Sequence, residues 1–362
     1  MITYKNLYEE LCSRDNLLLA FKKAKKGKSK KLYVISFESK LAENISNLQK
    51  ELISKTYKPV RLKRFVIRDP KTRTIHSSIF RDRVVHHAII NLLEPIFDRT
   101  FIYDSFASRD RKGSHKAVLR FKSFTRKVSV NGKLIKESYN NNSVNGYVLK
   151  ADIRHYFNSM SHEVLINIIR KKIKDEDLIW LIRLILDNFE TQEKGRGLPL
   201  GNYTSQFFAN VYLNEFDYFI KHKLKSEYYI RYVDDFVILH KNRRVLEYYL
   251  VKIKEFLPRL KIELHPDKTE IHALRNGITF LGYRIFYHYS LLRKRNIRYF
   301  MKKFDENIRL YSEGKITREQ LDSRINGWFG YAKWADTYRL RQGILSKIPD
   351  LSSIKNLEPK DI

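Results

Sequence analysis

Two adjacent carboxylates, Asp234 and Asp235, interrupt a stretch from Tyr228 to His240 that is otherwise mostly apolar and aromatic. Both flanking arms favour β structure, so the stretch predicts a hairpin that carries the aspartates at its tip. Adjacent aspartates repel each other, and a cation is one reason to place them together on a rigid turn. An ordinary Asp-Asp hairpin turn is the competing reading of the same residues. A second stretch, Tyr147–Ile153, is a short apolar strand that ends in Asp152. Three aspartates on neighbouring strand ends suit a two-metal phosphoryl-transfer site, in which one Mg²⁺ activates an attacking hydroxyl and the other holds the leaving pyrophosphate. Asp235 is expected to act less directly than Asp152 and Asp234, because adjacent strand residues point apart. Asp187 and Asp217 sit in helical patterns and read as surface or capping residues.

With these residues in place the chain resembles the reverse transcriptases. Tyr-Val-Asp-Asp (Tyr232–Asp235) is similar to that family's catalytic hairpin, and Asp152 matches the aspartate of its first catalytic motif. The likeness runs in the expected order from about Lys63 to the end of a C-terminal helical region. It implies an RNA-directed DNA polymerase with an α+β, right-hand fold of fingers, palm and thumb, the antiparallel palm sheet backed by helices and the thumb helical. It also implies a divalent-metal set of Asp152, Asp234 and Asp235 with the main-chain carbonyl of Ile153, two Mg²⁺ ions being expected and Mn²⁺ a substitute.

Further roles follow from the resemblance. Phe157 stands five residues after Asp152, where the family places an aromatic gate against the 2′-hydroxyl; by residue type alone, a core phenylalanine beside Tyr156 is the favoured reading. Lys63, Lys71 and Arg73 fall where cations meet the triphosphate, Arg73 being favoured for bidentate binding. Arg81-Asp82-Arg83 is expected to be a structural ion-pair group. Lys268, within His265–Thr269, corresponds to a lysine near the leaving pyrophosphate, as general acid or counter-charge. Phe280, Leu281, Gly282 and Tyr283 resemble the primer grip, the turn that holds the growing 3′ end.

Between the aspartate motifs lies Leu198-Pro199-Leu200-Gly201-Asn202-Tyr203-Thr204-Ser205-Gln206. Most reverse transcriptases have Gln-Gly in place of Leu200-Gly201 and end the motif in Ser-Pro. The form present here is similar to the diversity-generating retroelement branch, as are Phe80–His87, Tyr103–Ala107, Gly113–Ala117 and Ala332–Ala335. That branch copies a structured RNA into error-prone, adenine-mutagenised cDNA, and works with a small basic helical accessory protein. Leu200 and Gly201 are expected at the nucleotide: leucine offers shape but no hydrogen bonds, and glycine allows close backbone approach. The expected partners are RNA template, DNA or RNA primer, deoxynucleoside triphosphates, a cognate structured RNA and the accessory protein. Other readings are a group II intron, retron-type or phage-defence reverse transcriptase of ordinary fidelity, and a non-catalytic RNA-binding protein on a polymerase fold. The intact aspartates and Phe157 argue against the last.

Composition agrees with a nucleic-acid partner. The 362 residues carry 71 Lys+Arg against 40 Asp+Glu, a formal net charge of +31, which repels itself unless a polyanion neutralises it. An anionic membrane surface would do the same, but the basic residues are spread along the chain and no lipidation signal appears. The 43% hydrophobic content is ample for a folded core and excludes a disordered basic tail. The single cysteine, Cys12, excludes a disulfide framework and fits a reducing compartment; the family resemblance implies a cytoplasmic protein that is bacterial, archaeal or phage-encoded. The apolar run Leu178–Phe189 is interrupted by Arg183 and Asp187, so no membrane span is expected.

Around the motifs the periodicity predicts these elements. Helices fill the first 60 residues, with a lysine-rich run from Lys22 to Lys31; β runs follow from Val60 to Ile79, then a helix from Arg81 to Phe97 that ends near Pro95. Residues 1–144 are read as N-terminal helices and fingers, within which 126–145 is an exposed insertion with a hairpin signal at Asn131-Gly132. The palm is read as 145–277, with 174–202 partly a fingers or nucleotide loop. Helices are expected at 161–173, 203–225 and 243–257, and a strand near 269–273. Residues 278–362 are read as primer grip, basic helical thumb and a short tail; Arg284–Lys347 holds 15 Lys+Arg against 6 Asp+Glu.

Overall fold

A computed structural model describes residues 2–68, 72–136, 138, 140–189, 191 and 193–348. The chain is mixed helix and sheet. Four helices lead: α1 (Leu7–Cys12), α2 (Arg14–Lys25), α3 (Leu32–Ser39) and α4 (Leu41–Ile53). The antiparallel pair β1 (Lys63–Ile67) and β2 (Arg73–Ser77) follows, then α5 (Phe80–Asp98) and α6 (Ser114–Val128). Strand β3 (Tyr147–Asp152) precedes α7 (Tyr156–Ser159), α8 (His162–Arg170), α9 (Glu176–Asp187) and α10 (Tyr203–Tyr218). Next come β4 (Tyr229–Tyr232), β5 (Asp235–His240), α11 (Arg243–Phe256) and β6 (Glu270–Ala273). The chain closes with β7 (Ile278–Phe280), β8 (Tyr283–Ile285), β9 (Ser290–Leu292), α12 (Lys294–Ser312), α13 (Arg318–Ala332) and α14 (Tyr338–Leu345).

The central sheet has the order β4-β5-β3-β6. Its strands alternate little in polarity because both faces are covered: Val148, Leu149, Phe236, Val237, Ile238 and Leu239 are all buried. The helices beside it start where a side chain can accept the orphan amides of the first turn. Ser161 caps α8 through the Val164 amide, and Asp175 caps α9 through the Asp177 and Leu178 amides.

The chain divides into two compact units. The first comprises 1–113, 150–237 and 248–270; the second comprises 114–149, 238–247 and 271–362. In the second unit, β7, β8 and β9 form an antiparallel sheet, and Phe304, Leu321, Ile325 and Phe329 build the core between α12, α13 and α14. The capping box of Thr317 and Gln320 starts α13.

Helix α5 runs Phe80–Asp98, within one residue of the expected Arg81–Phe97 at each end, and it carries Pro95 in its last turn at the loss of one intrahelical hydrogen bond. Several expectations need correction. Within 174–202, read as partly a fingers or nucleotide loop, residues Glu176–Asp187 form the amphipathic helix α9. The long helix after Tyr203 changes to π geometry at Phe219–Lys223. Asn131-Gly132 does not turn a hairpin; Val130, Asn131 and Gly132 all take positive φ and terminate α6, with the Asn131 amide donating to the Arg126 carbonyl. The hairpin-like pairing lies further on, between Leu134 and Val144. No helix among the described residues is long and apolar enough to cross a membrane.

Candidate active site

Strands β4 and β5 are joined by only two residues, Val233 and Asp234, so the aspartates do sit at a hairpin turn. Val233 has φ 57°, a left-handed conformation that a β-branched side chain rarely adopts. The turn is tied on two sides. Arg231 Nη1 donates to the Val233 carbonyl at 3.1 Å, and the Ile153 amide, just past the end of β3, donates to the Asp234 carbonyl at 3.4 Å. Asp152, Ile153 and Asp234 are thereby brought to one place.

A third segment is zipped onto the end of β3. The His265 amide donates to the Asp152 carbonyl at 2.7 Å, and the Arg154 amide to the Glu263 carbonyl at 2.9 Å. A short 3₁₀ turn, Pro266–Lys268, is capped by His265 Nδ1, which accepts from the Asp267 amide. That turn delivers Lys268 Nζ to 3.0 Å from Asp152 Oδ2. Burial, then the Asp152 charge, pushes the Asp234 carboxyl up to about 6, with Asp235 adding and Lys268 opposing. Asp235, the first residue of β5, acts on this centre through its charge.

The donor chemistry fits a hard divalent cation: two repelling carboxylates, one largely buried, beside main-chain oxygens. Among the described residues no group of three His, Cys, Asp or Glu side chains could hold a metal by itself. A metal here would rest on the Asp152–Asp234 pair and take its remaining oxygens from main chain, water or substrate, as Mg²⁺ commonly does.

The aromatic pair after β3 is divided in its surroundings. Tyr156 is buried, its hydroxyl donating to the Ala209 carbonyl at 2.5 Å. Phe157 is only partly buried, and its carbonyl accepts from the Leu198 amide at 2.7 Å. The next residues of that segment run along β2. The His76 amide donates to the Leu200 carbonyl at 2.8 Å, and Asn202 Oδ1 accepts from both the amide and the hydroxyl of Ser78. Gly201 has φ 114°, and a Cβ there would lie 2.6 Å from Ile75 Cγ2. Leu200 lines a cleft of about 840 Å³ together with Arg64, His76, His155, Asn158 and Arg196.

Lys63 and Arg73 are not brought together. Lys63 pairs with Ser77 and Arg73 with Ile67, at opposite ends of an exposed hairpin, roughly 13 Å apart along the strands. Lys71 lies outside the described residues. The Arg81-Asp82-Arg83 group has the structural character expected: Arg81 pairs with Glu51, Asp82 accepts from Tyr57 and the Val60 amide, and Arg83 donates to Ser77 and to the Ser78 carbonyl.

In the second unit, Phe280 and Tyr283 pair across a two-residue turn in which Leu281 (φ 46°) and Gly282 (φ 95°) are both left-handed. This is the turn class that matches strand twist, and glycine suits it. The Tyr331 hydroxyl donates to the Gly282 carbonyl at 2.9 Å, while the Tyr283 hydroxyl donates to the Tyr331 carbonyl. A Cβ on Gly282 would lie 2.6 Å from the Tyr331 oxygen. Close by, His115 stacks on Trp334 with ring centroids 4.5 Å apart.

Asp217 is a correction. Far from being a surface or capping residue, it is wholly buried and receives Arg231 Nε and Nη2 at 2.7 and 2.6 Å and the Tyr229 hydroxyl at 2.7 Å. Its place in the buried stripe Leu213, Phe216, Asp217, Ile220 was a readable signal, as was Arg231 on the same strand face as Tyr229. Asp187 remains largely exposed, beside His162.

The comparisons with known proteins complete this picture. The family model for reverse transcriptase (RNA-dependent DNA polymerase) matches residues 67–285, more than half of the chain. Protein YkfC of Escherichia coli K12 is 25% identical over 300 residues, covering 72% of this chain and 74% of that protein. The group II intron-encoded protein LtrA of Lactococcus lactis is 25% identical over 314 residues, covering 67% of this chain; the match spans only 50% of LtrA. A solved telomerase from Candida tropicalis aligns at 14% identity with a TM-score of 0.47, covering 67% of this chain and 52% of that one. The chain belongs to the reverse transcriptase family of RNA-dependent DNA polymerases.

Proposed function

We propose that this polymerase acts at the Asp152–Asp234 pair on a right-hand fold, with β3, β4 and β5 as palm, β1 and β2 as fingers, and α12 to α14 as thumb. The observation that carries the reading is the convergence of three separate segments, around Asp152, Asp234 and Lys268, on one carboxylate centre. Asp152, Asp234 and the Ile153 carbonyl would hold divalent metal, with Asp235 contributing charge; Mg²⁺ is the expected ion. The bound metal would supply Lewis-acid activation of the primer hydroxyl and stabilise the leaving pyrophosphate. Lys268 would offset charge on that pyrophosphate or protonate it. Phe157, only partly buried, would lie under the sugar and exclude the 2′-hydroxyl. Arg73, near the tip of its hairpin, would meet the triphosphate, and Phe280–Tyr283 would hold the primer end.

The finer reading is error-prone copying of the diversity-generating kind, with loss of accuracy concentrated at template adenines and with a small basic accessory protein and a cognate structured RNA as partners. Its support is the Leu-Gly-Asn-Tyr-Thr-Ser-Gln segment (Leu200–Gln206), which puts an aliphatic residue in the lining of a cleft otherwise lined by polar and aromatic residues. Leucine leaves pairs to be distinguished by shape, and about 1.4 kcal/mol of lost discrimination raises an error tenfold. A second reading, an intron-type reverse transcriptase of ordinary fidelity, is favoured by the likeness to LtrA. Deep sequencing of cDNA from one defined RNA separates them. Misincorporation concentrated opposite adenine and reduced in Leu200→Gln is expected; uniformly accurate wild-type cDNA would refute the error-prone reading.

A further inference from the structure

A groove of about 770 Å³ opens in the second unit between the turn that ends α6 and the turn that begins α11. One wall carries Lys133, the other Lys241, Arg243 and Arg244, and Tyr147 lines it between them. The four cations are all exposed. The one carboxylate among the lining residues, Glu247, accepts from Arg243 Nε at 2.9 Å. Lys133, Lys241 and Arg244 therefore face the groove with no carboxylate partner among the described residues.

Both walls are held in shape by their own bonds. Asn242 Oδ1 accepts from the Arg244 amide, and the Asn242 amide donates to His240 Nδ1, so the cationic turn is not a loose loop. On the facing wall the Gly132 amide donates to Ser129 Oγ, and a Cβ at Gly132 would strike the Tyr287 ring. Tyr147 is the first residue of β3.

Three unneutralised cations on two fixed walls repel one another, and a polyanion whose charges recur at short intervals relieves all of them at once. An arginine and two lysines spaced across a groove suit successive phosphates of a backbone better than a single small anion. We propose that this groove is a second nucleic-acid site, which grips the sugar-phosphate backbone of template RNA outside the segment being copied. The chain's net charge of +31 and the RNA substrate of its family favour RNA over an acidic polypeptide. The groove anchors long or folded RNA and contributes nothing to the chemistry of nucleotide addition.

The test uses the full chain with Lys133→Gln, Lys241→Gln and Arg244→Gln combined. Binding of an unprimed RNA hairpin, a DNA hairpin of the same sequence and polyglutamate is measured across a salt series, beside steady-state extension of a short template–primer duplex. The expected result is about tenfold weaker RNA-hairpin binding at physiological salt, with a log–log salt slope shallower by roughly 2–3. Extension of the short duplex keeps its kcat and KM within about twofold, which also shows that the variant folds. Unchanged RNA affinity and slope would overturn the proposal, as would a loss confined to the DNA hairpin or to polyglutamate, or a parallel rise in duplex KM. Independently of the variant, photocrosslinking of a 4-thiouridine RNA hairpin to the wild-type chain should mark peptides within 128–133 or 241–247. Adducts only elsewhere would count equally against the site.

Discussion

Arg231 and Asp217 stand 2.6 Å apart with neither side chain more than 1% exposed. The pair is tied to the turn that carries Asp234, because the same guanidinium donates through Nη1 to the Val233 carbonyl. Its charge is therefore coupled to the position of Asp234. Removing one partner of a buried pair leaves the other uncompensated, so Asp217→Asn should destabilise the fold by about 3 kcal/mol or more. The double variant Asp217→Leu/Arg231→Met should recover most of that stability in denaturant melts yet remain at least about tenfold slower in primer extension, since Val233 has lost its tie. Full recovery of both would reduce the pair to packing.

Asp234 carries a pH prediction. Its carboxyl is held near 6, above the ordinary aspartate value, so the metal-free folded chain binds this proton more tightly than the unfolded chain. Stability from this group is present at low pH and is lost as pH rises through about 4 to 6. Asp234→Asn should raise the metal-free melting temperature at pH 7.5, by an amount reflecting about 1–3 kcal/mol, and change little at pH 4.5. The measurement is a pair of melts in chelator. An equal shift at both pH values would remove the electrostatic cause. Asp234→Asn should also abolish primer extension while salt-sensitive RNA binding survives.

Phe157 is the residue to change for sugar choice. Phe157→Ala should increase ribonucleotide incorporation by about tenfold or more relative to deoxyribonucleotide in competition assays, because the ring would no longer fill the space of a 2′-hydroxyl. An unaltered ratio together with a stability loss would make Phe157 a packing residue.

Tyr331 predicts a division between two Michaelis constants. Tyr331→Phe keeps the ring against Gly282 but removes the donor to its carbonyl and the acceptor for Asn296 Nδ2. The KM for template–primer should rise several-fold while the KM for nucleotide stays near wild type, at a stability cost of about 1 kcal/mol. Equal changes in both constants would argue against a role in holding the primer turn.

What the sequence made legible was local. A bare Asp-Asp between two β arms, a strand ending in Asp152 and a Phe-Leu-Gly-Tyr turn all specify their conformation within a few residues, and each formed as expected. What it hid was pairing at a distance. Asp217 was read as solvated because helical periodicity says which face a residue shares but nothing of a cation waiting there. Lys268 was assigned to the pyrophosphate by its motif, whereas its contact with Asp152 depends on the zipping of Glu263–His265 onto Asp152–Arg154. Helix α9 was obscured because an apolar stretch with two charges fits several contexts until its Asp175 cap is noticed. Asn131-Gly132 carries the residues of a hairpin turn, and positive φ served equally well to stop a helix.

The division of the chain into interleaved segments has a consequence for its biosynthesis. The backbone passes between the two units five times, at 113/114, 149/150, 237/238, 247/248 and 270/271, and strands β3 and β5 each begin in one unit and finish in the other. Neither unit is a contiguous stretch that a ribosome could release as a finished body. The first lacks its last segment until residue 270 has emerged, and the central sheet lacks β6 until shortly afterwards. Nascent chains shorter than that should expose apolar strands such as Phe236–Leu239 and depend on chaperones, whereas a nick in a surface turn of the finished protein should leave the pieces associated.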